Sequence, residues 1–178
     1  MDDLFRRYLD PTFRYVKTQN PALVRSRDDA LRDGLNCVAL AHLVIRDLFG
    51  CALPAHLQAF ELVRDELYFE PAGDQAHVEA GDLIWLGLDR PEADQAAFVP
   101  QYDGVELVNG GHFPVKHVAI GTGDRDHGDP LLLHASVADG TNAVWPLTRF
   151  AGYPRYGRVY AHRRLRPERR RPAGRAVA

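Results

Sequence analysis

Helical periodicity over the first 67 residues, strand-type runs after them, and turn-forming Gly, Asp and Pro clusters between those runs predict an α+β protein. Helices then pack on a central antiparallel sheet, because consecutive strands joined by short turns pair antiparallel. At 178 residues the chain is read as one domain with a single substantial core. A 46% hydrophobic and 26% charged composition is that of a soluble globular protein. The formal charge of −2 is uneven: residues 166–178 carry five Arg and one Glu, which leaves about −6 for residues 1–165. An acidic body argues against nucleic acid as partner. The basic tail, interrupted by Pro167 and Pro172, is expected to be disordered.

Residues 2–9 predict a short amphipathic helix with Leu4, Phe5, Tyr8 and Leu9 inward, broken by Asp10-Pro11. Asp28 to Arg32 predicts a helical turn leading into Gly34. The organising stretch is Gly34 to Gly50. Cys37, Leu40, Ala41, Val44 and Leu48 mark a buried helical stripe, Asn36 suits the N-cap, and Gly50 the stop. Cys37 therefore falls in the first helical turn, where unpaired N–H groups and the positive end of the dipole favour a thiolate. A half-buried helix is expected from Ala55 to about Leu67.

Ala80-Gly81-Asp82 reads as a turn before a buried strand, Leu83 to Leu86. Residues 88–116, rich in Pro, Gly, Asp and Gln, read as a long inserted loop over the site, with room for a hairpin. Further strands are expected at His117 to Ile120, Leu131 to Ala135, Asn142 to Trp145 and Gly157 to His162, with a short turn or helix at Leu147 to Phe150.

Cys37 and Cys51 stand fourteen residues apart across one predicted helix, which would hold them about 20 Å apart and forbids a disulfide. Two thiols outside any disulfide suit a reducing compartment. No C-x-x-C or H-x-x-x-H pair occurs, so neither a metal nor a cofactor is expected. The acidic amino-terminal residues are not a secretory signal, and no run of 18 apolar residues suggests a membrane span, so the expected location is cytoplasmic.

A cysteine nucleophile needs a base within reach and a third group to orient that base. His117 and His134, on neighbouring predicted strands, can stand side by side on one sheet face, and sulfur meets imidazole if the Cys37 helix crosses that face. Asp139 is an alternative orienting group, Asp82 reads as a turn residue, and His42 as structural.

The ordered set Gly34-Leu35-Asn36-Cys37-Val38-Ala39-Leu40, Leu53-Pro54, Ala80-Gly81-Asp82-Leu83-Ile84-Trp85, His117-Val118-Ala119-Ile120-Gly121 and Leu133-His134-Ala135 resembles the NlpC/P60 family of papain-like cysteine peptidases and amidases. The likeness spans residues 34–165. It implies a papain-like fold, Cys37 as nucleophile, His117 as general base and His134 as the orienting residue. Asn36, Trp85 and His112 are assigned to substrate binding.

The chain departs from the family at several points. Asn36 replaces an Asp, Val38-Ala39 a Ser-Gly pair, and Trp85-Leu86 an aromatic pair. The family's tyrosine-containing stretch has no counterpart around Val24 to Arg27. The resemblance implies a thiol-dependent amide hydrolase or acyl transferase for a peptide-like substrate such as a muropeptide fragment or peptidic metabolite. The alternatives are a peptidoglycan amidase exported as an effector and a non-catalytic binding domain of the same fold.

Overall fold

In the computed structural model, residues 1–89, 99–103, 106–109 and 113–170 are described. Five helices occur among them: α1 (Asp3–Arg7), α2 (Arg27–Asp33), α3 (Cys37–Phe49), α4 (Ala59–Arg64) and α5 (Leu147–Ala151). The strands are β1 (Phe69–Pro71), β2 (Leu83–Gly87), β3 (Tyr102–Asp103), β4 (Glu106–Leu107), β5 (Val115–Asp126), β6 (Asp129–Ala135), β7 (Asn142–Pro146) and β8 (Arg158–Leu165). Six of these form one antiparallel sheet in the order β1-β8-β2-β5-β6-β7, and β3 pairs with β4 as a separate hairpin. The fold is mixed α+β, as the sequence predicts.

The period-2 alternation of strands divides the core into two layers. Leu83, Trp85, Val118, Ile120, Leu133 and Ala135 face α3 and join the larger cluster. Ile84, Leu86, Ala119 and Leu132 face the other way, where Trp145 and Phe150 cover them. Each fully buried Leu, Ile or Val contributes about 1.5–3 kcal/mol, so both layers hold the sheet in register.

Helix α3 is sealed nearly all round over its first two turns, from Val38 to Ile45. Periodicity predicts a single stripe instead. The sheet covers one side, and segments around Val24, Leu53 and Leu57 cover the others. Helix α4 is shorter than the expected Ala55 to Leu67 span and holds only Ala59–Arg64. The inserted loop contains the β3–β4 hairpin, tied to α4 by a 2.6 Å hydrogen bond from the Tyr102 hydroxyl to Glu61.

One boundary needs correcting. Arg166 to Arg170, expected to begin a disordered tail, pack on the body. The Arg166 N–H bonds the Tyr68 carbonyl at 2.9 Å, and Arg169 and Arg170 lie over the rings of Tyr68 and Phe49 at 4.6 and 5.4 Å. Charge patterning missed this because an arginine docks through its planar guanidinium as well as through its charge. Residues 171–178 lie outside the described residues.

No helix among the described residues is long and apolar enough to cross a membrane.

Candidate active site

Gly34 begins the approach to Cys37. Its φ of +80° is a conformation that glycine adopts without strain, and a Cβ there would lie 2.4 Å from a Val16 methyl. That close approach lets residues 14–16 run beside Leu35. Leu35 N–H bonds the Arg14 carbonyl at 3.0 Å, and Val16 N–H bonds the Leu35 carbonyl at 2.9 Å. Asn36 then caps α3. Its Oδ1 accepts from the N–H groups of Val38 and Ala39 at 3.1 and 2.9 Å, and its Nδ2 donates to the carbonyls of Lys17 and Gln19 at 3.3 and 2.7 Å. Both amide protons are therefore used. This corrects the substrate-binding assignment of Asn36: its side chain locks the helix start instead.

Cys37 follows in the first turn of α3 and is only partly buried by surface exposure. Its sulfur meets the backbone N–H of Val118, besides those of Val38 and Cys37 itself. The Val118 contact is a product of the sheet. Gly121 exchanges hydrogen bonds with Gly81 and Asp82 at 2.9 and 2.8 Å, so odd residues of β5 turn their peptide edges to β2 and even ones to β6. Beyond Ile120–Leu133 the β5–β6 register ends. The N–H of Val118 is thus left without a strand partner where the two strands part, and the sulfur takes it.

Burial pushes the Cys37 thiol up, and the three N–H donors pull the other way without overcoming it. The depressed thiol expected from the helix terminus is corrected here: packing against the sheet desolvates the sulfur more than the helix tip stabilises its anion.

His117 and His134 come together directly, with Nε2 of His117 3.1 Å from Nδ1 of His134. They share a face, as expected, but it is the face away from α3. His117 stands opposite Leu86 and His134 opposite Ala143, both in the second layer. Their rings pack among aromatics: Tyr156 on His117 at 4.8 Å, Trp145 and Phe150 on His134 at 4.4 and 4.8 Å. The expectation that α3 crosses the histidine face is therefore corrected. Strand alternation sends Val118 toward the helix and its neighbour His117 to the other side.

Burial, then the neighbouring charges of His134 and Arg155, drives the His117 pKa well below the ordinary histidine value. His134 is lowered to about 3 by burial and by Arg149. Both rings are neutral at pH 7. With Nε2 of His117 committed to His134, only Nδ1 of His117 remains to serve a thiol. For Nδ1 to act as base, Nε2–H must donate to His134. That tautomer leaves Nε2–H of His134 facing aromatic rings, since this atom has no hydrogen-bond partner.

Two tyrosines escaped the sequence reading. Tyr15, in the segment beside Leu35, is pushed up to about 12 by burial and by the charges of Cys37 and Tyr156. Tyr156 is raised by burial and by Cys37, and it packs on His117. It is thus a neighbour common to sulfur and imidazole. Neither lies in a motif, and the sequence offered no signal for either.

Trp85, assigned to substrate binding, is fully buried in the α3-facing layer, which corrects that assignment: odd positions of β2 point inward. His112 lies outside the described residues. Asp139 is exposed in the turn after β6. Asp82 is buried, ion-paired with Arg164 and hydrogen-bonded to His162. Among the described residues no three His, Cys, Asp or Glu side chains converge in a group able to hold a metal ion.

Compared with protein-family models, with curated proteins and with solved structures, the chain matches none.

Proposed function

We propose that the chain is a papain-like thiol enzyme of the NlpC/P60 type, acting in a reducing, cytoplasmic setting on a peptide-like amide such as a muropeptide fragment or peptidic metabolite. What supports this reading is that the Cys37 sulfur lies on the N–H of Val118, that His117 is the adjacent residue of the same strand, and that His134 is 3.1 Å from His117. In the reaction, a sulfur–carbon bond forms as Cys37 attacks the carbonyl. His117 takes the thiol proton at Nδ1 and returns it to the amine as the carbon–nitrogen bond breaks. Water or a second amine then takes the acyl group. The N–H of Val118 or Cys37 supports the developing oxyanion.

The charge states decide how this proceeds. A raised thiol and a lowered imidazole both favour the neutral forms, so the proton moves during attack instead of beforehand. Arg155, exposed and without an ion pair among the described residues, lies close enough to act on His117, Tyr15 and Tyr156. It favours a substrate with a carboxylate near the scissile bond.

The second reading, a non-catalytic binding domain, is favoured by the raised thiol and by a His117 ring that faces away from α3. Alkylation with iodoacetamide across pH 5–9 separates the two. General-base assistance predicts that Cys37 reacts faster than Cys51 and slows about a hundredfold in His117→Ala. Mass spectrometry after incubation with candidate peptides should then find an acyl adduct on Cys37. Equal reactivity of the two cysteines, unchanged by His117→Ala, with no adduct, leaves the binding domain.

A further inference from the structure

A cleft of about 340 Å³ lies on the outer side of α3, away from the histidine pair, and none of the groups named above as catalytic lines it. Its walls are the Pro21–Arg25 segment, His42, Leu43 and Arg46 of α3, and the segment from Ala52 to Ala55. Most of this lining is apolar, and its size is within the range of small-molecule sites. Three side chains make the exceptions, and each has a defined state.

His42 is buried to all but 8% of its surface. Its Nε2 lies 2.9 Å from the Leu57 carbonyl, which only accepts, so Nε2 carries the proton and Nδ1 presents a lone pair. Nδ1 has no protein partner among the described residues, and it is not sealed from solvent. Arg46 is neutralised by Asp47 at 2.6 Å, and it also bonds the Arg25 carbonyl. Arg25 spends only its Nε, on the Ala22 carbonyl, and has no ion pair among the described residues. The cleft thus holds one buried acceptor, one cation at its rim and an apolar wall between them.

We propose that this cleft binds a small amphipathic carboxylate: an apolar body against Val24, Leu43 and Leu53, an N–H or O–H donor on Nδ1 of His42, and the carboxylate on Arg25. Burial keeps His42 neutral, and so an acceptor, at pH 7. A ligand donor in this otherwise apolar cleft finds in Nδ1 an acceptor that no protein group competes for among the described residues. The site stands independently of the enzyme reading, because it lies outside the Cys37, His117 and His134 arrangement.

The probe is indole-3-acetate, which carries all three features, followed by amide chemical shifts of the full chain. Binding is expected with a dissociation constant below about 1 mM, with shifts at Ala22, Leu43 and Leu53. 1-Naphthaleneacetate, which lacks the N–H, and the Arg25→Gln variant should each weaken it about tenfold. Ala52→Trp, at an exposed position on the cleft wall, should abolish it while leaving the spectrum of a folded protein. No shifts at millimolar probe, shifts that survive Ala52→Trp, or equal affinity for the two acetates would overturn the assignment.

Discussion

Two buried histidine pairs occupy the same face of one sheet and are built on opposite principles. His162, opposite Ile84, bonds Asp82 through Nε2 at 2.8 Å. Asp82 in turn accepts both Arg164 Nε and Nη2, at 2.8 and 2.7 Å, and the Glu79 N–H at 2.9 Å. A carboxylate so surrounded stays ionised, and the guanidinium and hydrogen bonds hold Asp82 below the usual carboxylate range despite burial. His117 and His134 have no carboxylate and only each other, among Tyr156, Phe150 and Trp145. One pair clamps β8 to the turn before β2 by charge. The other is a neutral couple at the point where β5 and β6 part. A charged clamp rigidifies. A neutral couple carries no fixed charge and keeps one ring nitrogen of His117 outside the bond between the two rings.

The contrast breaks most visibly at Asp82. Asp82→Ala takes the buried acceptor from His162, Arg164 and the Glu79 N–H, leaving Arg164 only the exposed Glu79 carboxylate at 2.8 Å, and should cost about 3 kcal/mol of stability, read as a lower urea midpoint. His134→Ala, by removing a neutral ring, should cost less than Asp82→Ala. The reverse order would mean that the two pairs have been assigned the wrong roles.

Acid sharpens the comparison next. His42, His117 and His134 all have folded pKa values below the unfolded 6.5, so the unfolded chain binds protons that the fold refuses. Stability is therefore full above about pH 6.5 and falls as pH drops below it, by about 2 kcal/mol at pH 5 for His134, whose folded value is about 3. Asp82 has the opposite sign of cause, and its contribution is lost only as pH falls below about 3.9, the unfolded value. Urea titrations at pH 7.5, 6 and 5 should show the early loss. In His134→Phe it should be smaller by one histidine's share.

The smallest effect is the most discriminating. His134→Phe replaces an imidazole whose Nε2 has no partner by a ring suited to Trp145 and Phe150. At neutral pH it should cost about 1–2 kcal/mol, because the buried Nε2 of His117 loses its partner while the ring packing is kept. On the proposed thiol-enzyme reading, alkylation of Cys37 should also slow, because that reading makes His134 the group that orients His117. Unchanged alkylation would reduce the pair to packing.

By itself the sequence determined the α+β class, the helix that starts at Cys37 with its Asn36 cap, and the strands that carry His117 and His134. These follow from local rules: period 3.6 against period 2, cap chemistry, and turn residues such as Gly34 and Gly81. Which face of the sheet receives α3 was decided only in three dimensions. A strand offers both faces equally, and choosing between them depends on which side the long-range packing covers. For the same reason Trp85 became core, Tyr15 and Tyr156 became neighbours of the sulfur, and the thiol went up where the helix tip alone would have taken it down. Desolvation is a property of everything that surrounds an atom, and no stretch of chain encodes its surroundings alone.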